Sequence, residues 1–326
     1  MQTYLKTRPV WIQLLLFIGM AFGIFTVLSL IAISILSNIT GISAFNMSNV
    51  ANWNSSNPGM IVFVRGMLLV QFLGLFVIPS LLFAYFSDPQ PLQYIGLKPP
   101  VKPIYWVLAV IVMFLAIPLV EYTGILNRQV HFGQGLQSWM QSMEDEAAQQ
   151  IKFMLSGKDV GNLILNVIFI ALFAGIGEEL FFRSILQRLL IRATKNPWTG
   201  IIIAAFLFSF FHFQFFGFVP RFLLGILLGA IYWYSGSIWP AMLAHFAYDG
   251  FFIVLAYFRP QIMDDTNATL FNTTSAMALS ALVSAVMVVA LVWLMKRNST
   301  ITYADTYRND VDSIDSDFLN TNDTNF

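Results

Sequence analysis

The stretch Gly177-Glu178-Glu179-Leu180-Phe181-Phe182-Arg183 stands near the middle of an apolar run that extends from about Leu163 to Leu190. A run of that length reads as a membrane span, because about 20 apolar residues of helix cross the hydrocarbon core. Two adjacent carboxylates inside a span are costly, at least about 2.5 to 3.5 kcal/mol for each at mid-membrane depth. An ionisable residue kept at that depth points to a functional site.

Composition extends this reading to the whole chain. Of 326 residues, 57% are hydrophobic and only 10% charged, against about 45 to 50% and 25% in soluble domains. Stretches long enough to cross lie near 10–37, 60–86, 104–120, 162–190, 199–217, 218–235, 238–258 and 276–295. The expected fold is therefore all-α, a polytopic transmembrane helical bundle of about eight spans. Residues 1–160 would form N-terminal membrane helices with an outer amphipathic segment, and 161–258 a catalytic core. Residues 259–298 would carry the last span and 299–326 a disordered acidic tail, which lacks periodicity and holds Asp305, Asp310 and Asp312 among others.

The 17 basic and 17 acidic residues cancel, so no basic surface recommends a nucleic-acid partner. Cysteine is absent, which excludes disulfides, thiolate metal sites and a cysteine nucleophile. Lys6 and Arg8 precede an apolar stretch far longer than a signal-peptide core of about 7 to 15 residues, so a retained first span is expected. Placing both termini in the cytoplasm puts Lys6, Arg8, Lys98, Lys102, Arg183, Arg188, Arg192, Lys195, Lys296, Arg297 and Arg308 on that side, eleven of the seventeen basic residues. Arg128, Lys152, Lys158, Arg221 and Arg259 fall on the other side, and Arg65, just inside the second span, can snorkel outward. The expectation is a multi-pass protein of a bacterial plasma membrane, with the bilayer as its first partner.

Between the third and fourth spans Leu136, Trp139, Met140, Met143, Ala147, Ile151 and Met154 recur at helical spacing. They predict an amphipathic helix on the outer surface, a structural cap rather than a gating lid. Gly225 and Gly229 offer a small-xxx-small face for close helix packing.

Three further ionisable residues fall inside apolar spans: His212, His245 and Asp249. His245 and Asp249 lie one turn apart on one helix face, as do Glu179 and Arg183. Helical rise puts Glu178 about 21 Å from Arg192, His212 about 20 Å from Thr199 and Asp249 about 16 Å from Ile238. Polar groups on three spans thus converge on one level. Phe208, one turn before His212, reads as packing or site lining.

Glutamate and histidine together can hold and deprotonate a water, and His245 with Asp249 can face the oxyanion formed when that water attacks an amide. Glu178, His212 and His245 are equally a ligand set suited to a divalent metal such as zinc. Spacing does not separate these chemistries, because the residues come from different helices.

The pattern Glu-Glu-x-x-x-Arg at Glu178, Glu179 and Arg183, Phe-x-x-x-His at Phe208 and His212, and His-x-x-x-Asp at His245 and Asp249 resembles the CPBP intramembrane proteases. These are the CAAX prenyl endopeptidase and bacteriocin-processing, or type II CAAX endopeptidase, family, and the resemblance covers about residues 165 to 255. It implies an endopeptidase acting on a membrane-associated protein or peptide, with Glu178 as general base and His212 sharing its water. His245 and Asp249 would face the oxyanion, with Glu179, Arg183 and Phe208 supporting. It also implies a cavity open toward the cytoplasm. The final position is commonly Asn in eukaryotic-type members, and an ionised Asp249 cannot donate as Asn does. A proton-coupled transporter and a non-catalytic immunity or scaffold protein are the competing expectations.

Overall fold

The computed structural model describes residues 4–263 and 274–307, and every regular element among them is helical. In chain order these are α1 (Val10–Thr40), α2 (Pro58–Ser87), α3 (Ile104–Arg128), the surface helix α4 (Gln134–Met154), α5 (Val160–Thr194), α6 (Pro197–Phe210), α7 (Phe215–Ser235), α8 (Trp239–Phe258), α9 (Ala276–Asn298) and the short α10 (Tyr303–Tyr307). Seven of them are long and apolar enough to cross a membrane.

The fifth expected span, 199–217, is corrected. Its helix α6 ends at Phe210 after 14 residues, about 21 Å of rise. The chain then turns through Phe213, whose φ of 53° is left-handed. Asn127 of α3 holds the turn from both sides, donating to the Phe215 carbonyl at 2.7 Å and accepting from the Val219 amide at 2.9 Å. With α6 counted as a pass, the described chain traverses the bundle an even number of times, so Leu5 and Tyr307 lie on one face. There the Leu5 amide donates to Phe86 O at 3.1 Å, Lys6 pairs with Asp88 at 3.2 Å and Lys102 donates to Asn298 at 3.1 Å.

The segment assigned to the disordered tail is ordered as far as it is described. Tyr307 is buried, and its hydroxyl donates to Arg188 O at 2.9 Å at the foot of α5. The remainder of that tail, 308–326, lies outside the described residues. On the opposite face sits α4, with Met140, Phe153 and Met154 buried and Trp139 packed on Phe215 at 5.2 Å. Arg65 donates to Asn162 at 2.8 Å and Asn166 at 3.1 Å, tying α2 to α5 near the α4 face.

Lipid tails give helices no hydrophobic reason to associate, so small residues and buried hydrogen bonds set their approach. A Cβ at Gly175 of α5 would stand 3.0 Å from the Phe246 backbone nitrogen of α8, and one at Gly229 of α7 would stand 2.6 Å from the Gln187 amide oxygen of α5. The level of α8 is fixed by its preceding turn, where the Ile238 amide donates to Gly96 O at 3.0 Å and Ser237 Oγ to Lys98 O at 2.6 Å. About two turns of helix then lift His245 to the depth of Glu178.

Candidate active site

The two glutamates part company because the winding of α5 changes between them. Residues Phe173–Glu178 are α-helical, whereas Glu179–Gln187 form a wider π-helical stretch in which every side chain is buried. Such stretches are rare and recur at functional sites. Here the stretch ties into neighbouring backbone at three points. Arg183 Nη2 donates to Gly225 O at 3.3 Å, Gln187 Nε2 to Gly229 O at 3.1 Å and Ser184 Oγ to Ile95 O at 2.7 Å. The glycine pair of α7 thus does more than allow close packing, since its carbonyls are the acceptors.

Glu179 points into this sealed side and is fully buried. Its Oε1 lies 3.0 Å from Arg183 Nη1 and 2.8 Å from His245 Nδ1. The Arg183 guanidinium in turn stacks on the Phe208 ring at 4.3 Å. Glu179 is therefore bonded to His245 as well as to Arg183, a link between α5 and α8 that i, i+4 spacing within α5 could not reveal.

Glu178 turns the other way, toward a cavity. Its Oε2 lies 3.9 Å from His212 Nε2 and 4.0 Å from His245 Nε2. His212 Nδ1 is 2.7 Å from Phe208 O; a carbonyl only accepts, so Nδ1 carries the proton and a neutral ring presents its Nε2 lone pair to Glu178. His245 Nε2 lies 3.3 Å from Asp249 Oδ2. With Glu179 on one nitrogen and Asp249 on the other, a protonated His245 donates on both sides. The structure therefore brings together all four residues proposed for chemistry, with Glu179, Arg183 and Phe208 packed behind them.

Glu178, His212 and Asp249 stand where two cavities meet, of about 330 and about 370 Å³. The larger lies under Ala147, Gln150, Ile151 and Met154 of α4, so α4 roofs it. The space at Glu178 thus extends toward the α4 face of the bundle, opposite Leu5 and Tyr307. Arg221 also lines the site cavity, beside Leu224 and His245, and donates to Gln214. The sequence suggested only that it falls at the non-cytoplasmic end of the 218–235 span; its position one turn before Gly225, on the same face, was the signal available.

Glutamate and two histidines are the right donors for zinc in kind. Their atoms stand 3.9 and 4.0 Å apart, whereas donors about 2.1 Å from a tetrahedral ion lie about 3.4 Å from each other. Among the described residues no group of three or more has metal-holding geometry. As arranged, the set does not fit the ion.

Outside the spans, Glu144 of α4 titrates above the usual glutamate range because it is buried, an effect opposed by the charge of Arg221.

Residues 160–251 match a family model described as Type II CAAX prenyl endopeptidase Rce1-like. No curated protein and no solved structure matches the chain.

Proposed function

We propose, from the Rce1-like type II CAAX prenyl endopeptidase domain at residues 160–251, that the chain is an intramembrane endopeptidase in which Glu178 activates water directly. The observation that carries this reading is the carboxylate of Glu178 standing within 4.0 Å of Nε2 atoms from two other segments, at the edge of a cavity inside the bundle. A water about 2.8 Å from each of Glu178 Oε2 and His212 Nε2 fits that gap.

In the proposed reaction the water donates to both atoms, and Glu178 takes one proton as the oxygen attacks the peptide carbonyl carbon. Negative charge develops on the carbonyl oxygen, where His245 donates from Nε2. Before the oxyanion forms, that single Nε2 proton is held by Asp249 Oδ2 at 3.3 Å, whose charge favours the imidazolium; as negative charge develops the proton turns from Asp249 to the carbonyl oxygen. Glu179 fixes the opposite nitrogen. Collapse of the tetrahedral species breaks the C–N bond, and Glu178 returns its proton to the leaving amine.

The test is cleavage of a membrane peptide by purified variants. Glu178→Gln and His212→Ala should each lose about 100-fold or more in kcat, with thermal stability near that of the parent. Undiminished cleavage by both variants would reject the assignment. Wild-type activity should also survive dialysis against a strong chelator; loss restored by zinc would replace direct activation with metal-bound water. The substrate is proposed to be a membrane-associated peptide or protein, the termini to be cytoplasmic and the membrane to be a bacterial plasma membrane.

A further inference from the structure

Three cavities run end to end from the site to the face opposite the termini. The first lies over Glu178, His245 and Asp249. The second shares Glu178, His212 and Asp249 with it and continues past Leu68 and Gln71 of α2 and Gln150 of α4. The third, of about 350 Å³, shares Trp53, Leu68, Gln71 and Gln150 with the second and ends at Ala44, Met47 and Ser48, in the connection between α1 and α2. That connection belongs to the α4 face, because Trp53 packs edge-on against Phe153 of α4 at 5.2 Å.

In the other direction the described residues are tightly packed. The π-helical stretch Glu179–Gln187 is buried at every residue. A cavity of about 280 Å³ on the terminal face, between Asp88, Arg188 and Tyr307, shares no lining residue with the three.

The groove's chemistry indicates what occupies it. Its walls are largely apolar, yet Gln71 and Gln150 face both the second and third cavities. Among the described residues, neither side-chain amide has a hydrogen-bond partner. An amide offers a donor and an acceptor together, which is what the unpaired N–H and C=O of an extended backbone require where water is scarce. Gln150 is exposed and Gln71 partly buried, so an acyl chain in the groove would leave the Gln71 amide without a partner.

We propose that the joined cavities bind an extended segment of a membrane-associated polypeptide substrate, which reaches Glu178 from the side of the membrane opposite the chain's termini. This rests on the hydrolytic reading of Glu178. With the termini in the cytoplasm, the substrate presents its scissile segment at the outer leaflet, not as a cytosolic C-terminus.

The lack of cysteine makes the test direct. Leu68→Cys and Gln150→Cys, with Lys98→Cys marking the terminal face, are treated in sealed membranes with a membrane-impermeant maleimide. Both groove cysteines should react from the side on which Lys98→Cys is protected. Reaction from the Lys98 side, or reaction of Leu68→Cys from neither side, would overturn the route. In Glu178→Gln carrying Leu68→Cys, a synthetic apolar peptide at about ten times its Kd should slow labelling about tenfold, whereas phospholipid vesicles alone should not. Protection by lipid and not by peptide would overturn the proposed occupant. Labelling does not need turnover, so a route that stands while Glu178→Gln still hydrolyses peptide isolates failure of the hydrolytic reading.

Discussion

Adjacent glutamates here hold opposite jobs. Glu178 faces space and two histidine nitrogens, whereas Glu179 is sealed between Arg183 and His245. Removing one partner of a buried ion pair strands the other charge, at a cost of about 3 to 5 kcal/mol. Glu179→Gln should therefore lower the thermal midpoint as well as activity, while Glu178→Gln should lower activity alone. Midpoint and kcat measured on both purified variants separate the two roles; equal midpoints would show Glu179 to be no support. The convergence of Glu178, His212, His245 and Asp249 was readable from their depth along three apolar stretches. The direction each one faces was not, because the bond from Glu179 to His245 joins residues that only folding brings together.

Among the elements, α4 bears most directly on access. Its apolar stripe was legible from spacing, and Met140 and Met154 are buried as the stripe requires, while Leu136 and Trp139 remain largely exposed. Glu144 is the residue that complicates its docking. Burial raises its pKa, so its folded value lies above its unfolded one, and its contribution to stability is complete below the unfolded value and lost as pH rises through the folded one. Stability referable to α4 should thus fall as pH rises above the ordinary glutamate range. Glu144→Gln should flatten that fall, as read from thermal midpoints of parent and variant across the same pH series; parallel profiles would contradict the argument. The premature end of α6 was not legible, since Phe210-Phe211-His212-Phe213 continues the apolar run. Asn127, remote in sequence, holds the chain where it turns back. The π-helical winding of α5 was equally hidden, because its side-chain bonds lead to α7 and to the segment before α3.

For the molecule as a whole, composition alone conveyed an all-helical membrane bundle, and basic-residue bias placed both ends on one face. It did not convey that the chain after α9 returns to the bundle. Arg188 stacks on Tyr94 at 4.3 Å and Tyr307 at 5.2 Å, so α10 straps the foot of α5 to the turn before α3. Truncation after Asn298 should lower the thermal midpoint by several degrees, consistent with loss of a few kcal/mol or less, whereas truncation after Tyr307, which keeps α10, should lower it less. Equal midpoints for the two truncations would show the strap to be idle.

The shortness of α6 has a consequence for the bilayer itself. Trp198, Ile202, Phe206 and Phe210 form an exposed row along it, spaced to meet lipid on one side. A helix of 14 residues spans about 21 Å, some 9 Å less than a typical hydrocarbon core of about 30 Å. Hydrophobic mismatch of that size draws the adjoining leaflet inward. Headgroups and their hydration layer would then lie closer to His212 on the lipid side, a second approach for water besides the groove that ends at Ala44 and Ser48.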